Sequence, residues 1–221
     1  MGSARLISFI KARSTKQLQR QSATTDMALT NPPADLRNRT VPLAGIAVQL
    51  FRLNLIRHRD PVHWSKQGRY RFDSATAKYG VFYTSAAVET AILEVFGDRW
   101  IQERYLAQSD LMQYEVCKLE IRSGFEAVNA VGRNLNRLGT DSNLFASTDY
   151  QISQAWGREF MIHPQCPSGI RYHSRKNPRR INYALFGTDM LRTSIKVSER
   201  YPLRSYPRLY SFLLSYGVAM I

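Results

Sequence analysis

The sequence predicts an α+β fold in which mixed, mostly antiparallel sheets are flanked by helices. Apolar and polar residues alternate in part over residues 46–56, with the period of a half-buried strand. Over residues 88–96 the apolar residues instead recur at the spacing of one helix face. No regular alternation of strands and helices follows along the chain, so a doubly wound parallel sheet is not expected.

Length and composition predict one folded domain preceded by an arm. The chain has 221 residues, of which 44% are hydrophobic, so a core is available and global disorder is excluded. Residues 1–40 carry seven Lys and Arg against two Asp and Glu, and two prolines follow Asn31. Proline interrupts helices and is typical of linkers. We therefore predict a basic, partly disordered N-terminal arm and linker over residues 1–40 and a single domain over residues 41–221.

The formal net charge of +14 is concentrated at the two ends of the chain. Residues 41–170 hold 14 basic and 13 acidic residues, whereas residues 171–221 hold ten and two. A basic excess is typical of proteins that bind nucleic acid or another acidic partner. Because the long middle is nearly neutral, the excess is a feature of the two ends of the chain. By itself it leaves open both a nucleic-acid-binding surface and a local basic surface for a small anion or an acidic partner.

Cysteine use and hydropathy indicate a cytoplasmic protein. Cys117 and Cys166 are isolated from each other and from any Cys/His cluster, so neither a disulfide framework nor a metal site is expected. No apolar stretch reaches the roughly 18 residues of a membrane-spanning helix. We therefore expect no membrane association.

Two arginines and a tyrosine stand on predicted extended segments in the first half of the domain. Arg52 lies on the polar face of the strand at 46–56, Arg71 on a short extended segment at 68–73, and Tyr83 on a strand at 81–84. Each arginine is either half of a surface ion pair or a bidentate ligand for phosphate or carboxylate. Tyr83 is either a core residue or a stacking platform with a free hydroxyl.

The clearest helix follows this strand. Its core-facing stripe, read from the 3.6-residue period, comprises Val88, Ala91, Ile92, Val95 and Phe96. Ser85 is a suitable N-cap, and Gly97 is expected to end the helix. Glu94 lies well off the centre of the stripe. By helical position alone it is a solvated charge on the flank.

The most conspicuous segment is the basic loop at residues 171–180, between two short apolar strands. Its ten residues include five Lys and Arg, interleaved with Tyr172 and His173. Such a loop is either a solvated surface or a phosphate- or RNA-binding surface. Because strands enter and leave the loop, Ser174 is expected at a sheet edge near a pocket.

Read together, these segments resemble the RES family of bacterial toxins, which is named for an arginine, a glutamate and a serine. The resemblance covers roughly residues 46–190 and is carried by an ordered set of short stretches: LFRL at 50–53, GRYRFD at 68–73, YGVFYT at 79–84, ETAILE at 89–94, DYQISQAW at 149–156, GIRYHSR at 169–175 and ALF at 184–186. No single stretch is specific, but their order is.

The resemblance implies a fold similar to ADP-ribosyltransferases and an enzyme that degrades NAD⁺. The enzyme would be an NAD⁺ glycohydrolase or an NAD⁺ phosphorylase, without a cofactor, and phosphorolysis would take inorganic phosphate as co-substrate. A cognate antitoxin would neutralise it, and nucleic acid would be contacted only through the antitoxin complex. A protein ADP-ribosyltransferase on the same fold and a non-catalytic nucleic-acid-binding protein remain alternatives. The oligomeric state stays open.

The resemblance also implies roles for individual residues. The family's arginine, glutamate and serine match Arg71, Glu94 and Ser174, although Arg69 is an alternative to Arg71. These three are the predicted catalytic residues. Arg52 and Arg71 would bind the pyrophosphate or the attacking phosphate. Tyr83 would stack on nicotinamide or ribose, and Ser174 would hydrogen-bond a ribose or phosphate oxygen.

Overall fold

A computed structural model describes residues 30–221 of the chain. Within these residues one sheet of eight strands forms the centre, in the order β1-β6-β7-β8-β3-β2-β5-β9. Its strands are β1 (Leu43–Gly45), β2 (Gln49–Leu55), β3 (Val81–Ser85), β5 (Tyr114–Ile121), β6 (Glu126–Ala130), β7 (Gly169–His173), β8 (Ile181–Phe186) and β9 (Ile195–Pro202). A short parallel pair consists of β4 (Tyr105–Leu106) and β10 (Ala219–Met220).

Helices cover the sheet on both sides of its centre. They are α1 (Val88–Glu103), α2 (Gln108–Gln113), α3 (Asn134–Leu138), α4 (Asn143–Ala146), α5 (Gln151–Met161), α6 (Asp189–Ser194) and α7 (Leu209–Ser215), with 3₁₀ turns at Leu36–Asn38 and Leu203–Ser205. No helix in this part of the chain combines the length and the apolar character needed to cross a bilayer.

The predicted α+β class with a mostly antiparallel sheet is confirmed. Within the eight-stranded sheet every pairing is antiparallel except that of β6 with β7. Parallel neighbours need a crossover connection, and helices α3, α4 and α5 supply it. Gly169 begins β7 where the strands lie too close for a side chain, since a Cβ there would be 2.5 Å from the Ala184 carbonyl oxygen.

The apolar core forms on both faces of the sheet. Helix α1 packs with α2, α7 and strands β2 and β5 through residues such as Ile92, Phe96 and Trp100. The crossover helices pack on β6, β7 and β8 around Phe72, Trp156 and Phe160. The central strands are thus packed on both faces, and the ends of β3, β7 and β8 carry polar side chains beside this core.

Residues 30–40 pack against the folded body. Leu36 is buried in the core, the Trp156 indole donates to the Thr30 carbonyl oxygen at 2.8 Å, and Arg37 pairs with Glu159 at 2.9 Å. The folded region therefore begins earlier than the predicted boundary at residue 41. The rest of the predicted arm, residues 1–29, lies outside the described residues.

Two local predictions were wrong. Residues 68–73 form turns rather than an extended segment. Helix α1 does not end at Gly97: it runs on to Glu103, and Arg104 closes it in the left-handed conformation at φ 56°. Burial of the following turn explains the extension, because Trp100 adds to the apolar face and outweighs the weak helix propensity of one glycine.

Candidate functional site

A cleft of about 770 Å³ opens beside α1, at the ends of the central strands of the sheet. Among the residues that line it are Arg52, Arg71, Tyr83, Glu94, Lys176 and Asn182. The end of β3, the end of β7 and the start of β8 meet there because β8 pairs antiparallel with both neighbours. Helix α1 follows β3 directly and brings its polar flank to the same place.

Glu94 is held by two neutral hydrogen-bond donors. The Ser174 hydroxyl donates to Glu94 Oε1 at 2.5 Å, and Asn182 Nδ2 donates to the same oxygen at 2.8 Å. Within the described chain this carboxylate has no ion-pair partner. Glu94 is therefore oriented but not neutralised, and its second oxygen Oε2 is available to a ligand in the cleft.

Ser174 follows β7 directly, as predicted from the loop. Its side chain is only 2% exposed and is not part of the cleft lining. In this conformation the hydroxyl therefore contacts Glu94 rather than open space. Its predicted contact with a ribose or phosphate oxygen stays a prediction.

The sequence did not identify Asn182 or Ser85 as residues of the site. Asn182 is buried, and its Oδ1 accepts a hydrogen bond from the Ser85 hydroxyl at 2.7 Å. The predicted N-cap role of Ser85 was wrong, because Ala87 occupies the cap position of α1. A polar residue at the start of an otherwise apolar strand was the available signal for Asn182. These hydrogen bonds, from Ser85 to Asn182 and from Asn182 to Glu94, fix the orientation of the Asn182 amide.

Arg71 reaches the cleft, whereas Arg69 does not line it. Arg71 Nη1 donates to the Leu144 carbonyl oxygen at 3.0 Å, and the guanidinium lies 4.9 Å from the centre of the Tyr150 ring. Burial lowers the pKa of Arg71. The Arg69 side chain is exposed, and only its backbone nitrogen, which donates to Asp73, takes part in the turn.

Arg52 points from β2 into the same cleft. Its guanidinium lies 4.9 Å from the Phe82 ring centre and has no hydrogen-bond or ion-pair partner within residues 30–221. Burial lowers the pKa of Arg52 as well. A half-buried guanidinium with all its N–H groups available is suited to bind an anion bidentately.

Tyr83 lies at the cleft, but its hydroxyl is not free. The hydroxyl donates to Asp73 Oδ1 at 3.0 Å and accepts from the Phe72 backbone nitrogen at 2.9 Å. Asp73 Oδ2 accepts from the backbone nitrogens of Arg69 and Tyr70 at 3.1 and 3.2 Å. Tyr83 therefore also holds the turn that presents Arg71. Of the two interpretations of this residue, the one with a free hydroxyl does not hold.

Tyr172 and Phe145 form an aromatic wall on the Arg71 side. Their ring centres are 5.5 Å apart and nearly parallel. Burial, with the charge of Glu94 next, raises the pKa of Tyr172. The Tyr172 phenol therefore stays neutral across the physiological range.

Cations of the basic loop complete the cleft on the α1 side. Arg175 and Lys176 both pair with Asp98, which lies one helical turn after Glu94. Burial lowers the pKa of Lys176, while the charge of Glu94 opposes this change. The predicted core position Val95, between these carboxylates, is 41% exposed and lines the cleft.

The arrangement suits a ligand that carries negative charge for the guanidiniums and also has a group that a carboxylate can stabilise. Arg52 and Arg71 offer hydrogen-bond donors without a competing carboxylate, and Glu94 offers a carboxylate without a competing cation. Three or more metal-ligating side chains do not gather anywhere in residues 30–221.

Comparison with known proteins gives the chain a family. The model of the RES domain matches residues 49–204, which is most of the chain and includes all five predicted site residues. A chain of the crystal structure of the M. tuberculosis MbcT–MbcA toxin–antitoxin complex has a similar fold, with a TM-score of 0.60 at 14% identity, covering 83% of this chain and 98% of that one. Among curated proteins the sequence has no match. The chain belongs to the RES domain family.

Proposed function

We propose that the protein is the toxin of a toxin–antitoxin pair and that it cleaves the nicotinamide–ribose bond of NAD⁺. One observation carries the proposal: the Glu94 carboxylate is fixed by two neutral donors in a cleft where two of the cations, Arg52 and Arg71, have no carboxylate partner among the described residues. Membership of the RES domain family supports the same reaction.

Glu94 would stabilise the sugar during cleavage. Breaking the bond to nicotinamide develops positive charge on the ribose, as in glycoside hydrolysis. A carboxylate that is already oriented stabilises this charge without reorganisation. The leaving nicotinamide needs no strong acid, because its ring nitrogen is cationic before the bond breaks. One carboxylate is therefore sufficient.

Arg52 and Arg71 would bind the pyrophosphate or, in a phosphorylase, the attacking phosphate. Both guanidiniums line the cleft and stack on aromatic rings, which limits their motion. The cleft volume of about 770 Å³ lies in the usual range for ligand pockets.

The toxin role rests on the family and on the similar fold of a chain from a toxin–antitoxin complex. Induction in bacteria is expected to stop growth and deplete NAD⁺, and co-expression of the neighbouring open reading frame is expected to restore both. If growth stops while NAD⁺ stays constant, the proposed reaction is wrong.

The decisive experiment is incubation of the purified protein with NAD⁺, with and without inorganic phosphate, followed by mass analysis of the products. Free ADP-ribose identifies a hydrolase, and a phosphorylated ADP-ribose identifies a phosphorylase. With labelled NAD⁺ and cell lysate, label on a protein band would instead identify a protein ADP-ribosyltransferase. Unchanged NAD⁺ in all three arms would overturn the proposal.

A further inference from the structure

Lys176 connects the loop after β7 to helix α1. Its side chain is only 8% exposed although it borders the cleft, and its ammonium pairs with Asp98. Arg175 Nη2 lies 2.7 Å from the same Asp98 oxygen. The ammonium of Lys176 therefore lies against a carboxylate of α1.

Gly97 provides the space for this connection. The stem of Lys176 crosses α1 at this glycine, where a Cβ would lie 3.3 Å from both Cγ and Cδ of the lysine. Glycine weakens a helix interior relative to alanine. Its presence three residues after Glu94 is explained by the close approach of the Lys176 stem.

The same residue also acts on Ser174. The Lys176 backbone nitrogen donates to Ser174 Oγ at 3.1 Å, and that hydroxyl in turn donates to Glu94 Oε1 at 2.5 Å. Lys176 therefore holds the serine through its backbone and holds the helix through its side chain. The loop after β7 is therefore connected to helix α1 twice, through Ser174 and Glu94 and through Lys176 and Asp98.

We propose that Lys176 is a positioning residue. The packing of its side-chain stem on Gly97 and its ion pair with Asp98 keep Ser174 hydrogen-bonded to Glu94. The proposal rests on the proposed function, in which Glu94 acts on the substrate. Because Lys176 acts through Glu94 rather than on the substrate, its loss changes kcat and leaves KM for NAD⁺ nearly unchanged.

Steady-state kinetics with NAD⁺ test this on four variants. Lys176→Met keeps the length of the stem but removes the ion pair, and it is expected to lower kcat by about 10- to 100-fold, because small misplacement of a catalytic group has effects of this size. Lys176→Arg keeps a cation opposite Asp98 and is expected to restore most of kcat. Gly97→Ala displaces the stem and is expected to lower kcat without lowering Tm.

Arg37→Met is the matched control, since it removes a cation from an ion pair with Glu159 away from the cleft. It is expected to leave kcat and KM unchanged. An equal fall in kcat for Lys176→Arg and Lys176→Met, or a rise in KM with constant kcat, would overturn the positioning role.

Hydrogen exchange separates this proposal from the proposed function. Lys176→Met is expected to speed exchange of the amide at position 176 at least tenfold, and Arg37→Met is not, whether or not NAD⁺ is cleaved. Faster exchange in a protein that does not cleave NAD⁺ would overturn the reaction but support the anchoring. Equal exchange in wild type and Lys176→Met would overturn the anchoring.

Discussion

Two glutamates of helix α1, Glu89 and Glu94, have different kinds of partner. Glu89, at the start of the helix, pairs with Arg208 at 3.0 Å and accepts a hydrogen bond from Tyr206 at 2.6 Å. Glu94, little more than one turn later, has only the neutral donors Ser174 and Asn182. Glu89 is thus paired with cations of the fold, whereas Glu94 has no ion-pair partner among residues 30–221.

The same contrast separates the arginines. Arg200 forms a fork with Glu115, with Nε 3.0 Å from Oε2, and Asn54 donates to that carboxylate at 2.8 Å. Arg52 and Arg71 have no carboxylate partner in the described chain. Framework charges such as those of Arg200 and Glu115 are thus paired. At the cleft, Asp98 pairs with two cations of the basic loop, but Arg52, Arg71 and Glu94 have no ion-pair partner among the described residues.

The pairing also explains the basic C-terminal region. Five of the ten cations in residues 171–221 form ion pairs with acidic side chains of residues 41–170: Arg175, Lys176, Arg180, Arg200 and Arg208. The five cations share three carboxylates, Glu89, Asp98 and Glu115, so half of the cations of this region are held against the rest of the fold while the net charge of the chain stays at +14.

Glu94→Gln is expected to have the largest effect on activity. The amide oxygen can still accept from Ser174 and Asn182, so the fold is kept, but the charge that stabilises the ribose is lost. Activity on NAD⁺ is expected to fall by about 10³-fold, the size of effect seen when one electrostatic stabiliser is removed. NAD⁺ consumption and Tm are measured together.

Glu89→Gln is the matched control for that change. It loses the charge that pairs with Arg208, so Tm is expected to fall while kcat of the folded protein stays within about twofold of wild type. A comparable loss of kcat in both variants would mean that the two carboxylates do not differ in role.

Arg52→Met is expected to have the next largest effect, on binding. KM for NAD⁺ is expected to rise by about 10- to 100-fold, which corresponds to the loss of one or two charge-assisted hydrogen bonds. Tm is expected to stay the same or rise, because burial of this unpaired charge is unfavourable, as its lowered pKa indicates. A fall in Tm with unchanged KM would place Arg52 in the framework.

Arg200→Met is expected to affect stability rather than chemistry. Glu115 is 8% exposed and would lose its cation, at a cost of about 2 kcal/mol given that Arg200 itself is partly exposed. For a chain of this size that corresponds to a fall in Tm of roughly 4–8 °C. Arg200 also holds the loop at residues 56–60 through the Arg59 carbonyl oxygen, so a modest rise in KM is expected.

The smallest effect is expected in the acid range. Burial opposes ionisation of Glu115, but hydrogen bonds from Arg200 and Asn54 outweigh it and lower the pKa. A lowered pKa stabilises the folded state above the unfolded value of about 4.3, and this stabilisation is lost as pH falls through the folded value. Tm is therefore expected to drop below about pH 4, and less steeply in Arg200→Met. Parallel Tm–pH curves would contradict this.

Local pattern was sufficient to predict the central strands and helix α1, but not the limits of those elements. Strand β2 lies within the segment where partial alternation predicted a strand, and β3 matches the predicted segment 81–84 with one residue more. Both strands bury residues on both faces, because helices pack on each side of the sheet. The sequence predicted that α1 ends at Gly97, but the helix continues because burial of Trp100 stabilises the next turn. The glycine instead leaves room for the side chain of Lys176. The turn at residues 68–73 was missed because it is held by hydrogen bonds from backbone nitrogens to the Asp73 carboxylate. The alternation of polar and apolar side chains gives no sign of such bonds.

By itself, the sequence determined the fold class, the order of the family's short motifs and the residue types available for the site. Only the tertiary structure decided that Arg71 rather than Arg69 borders the cleft, that the Tyr83 hydroxyl is occupied, and that Asn182 shares Glu94 with Ser174. The physical reason is distance along the chain. The donors to Glu94 lie 80 and 88 residues away, and the register of β7 and β8 sets where they meet.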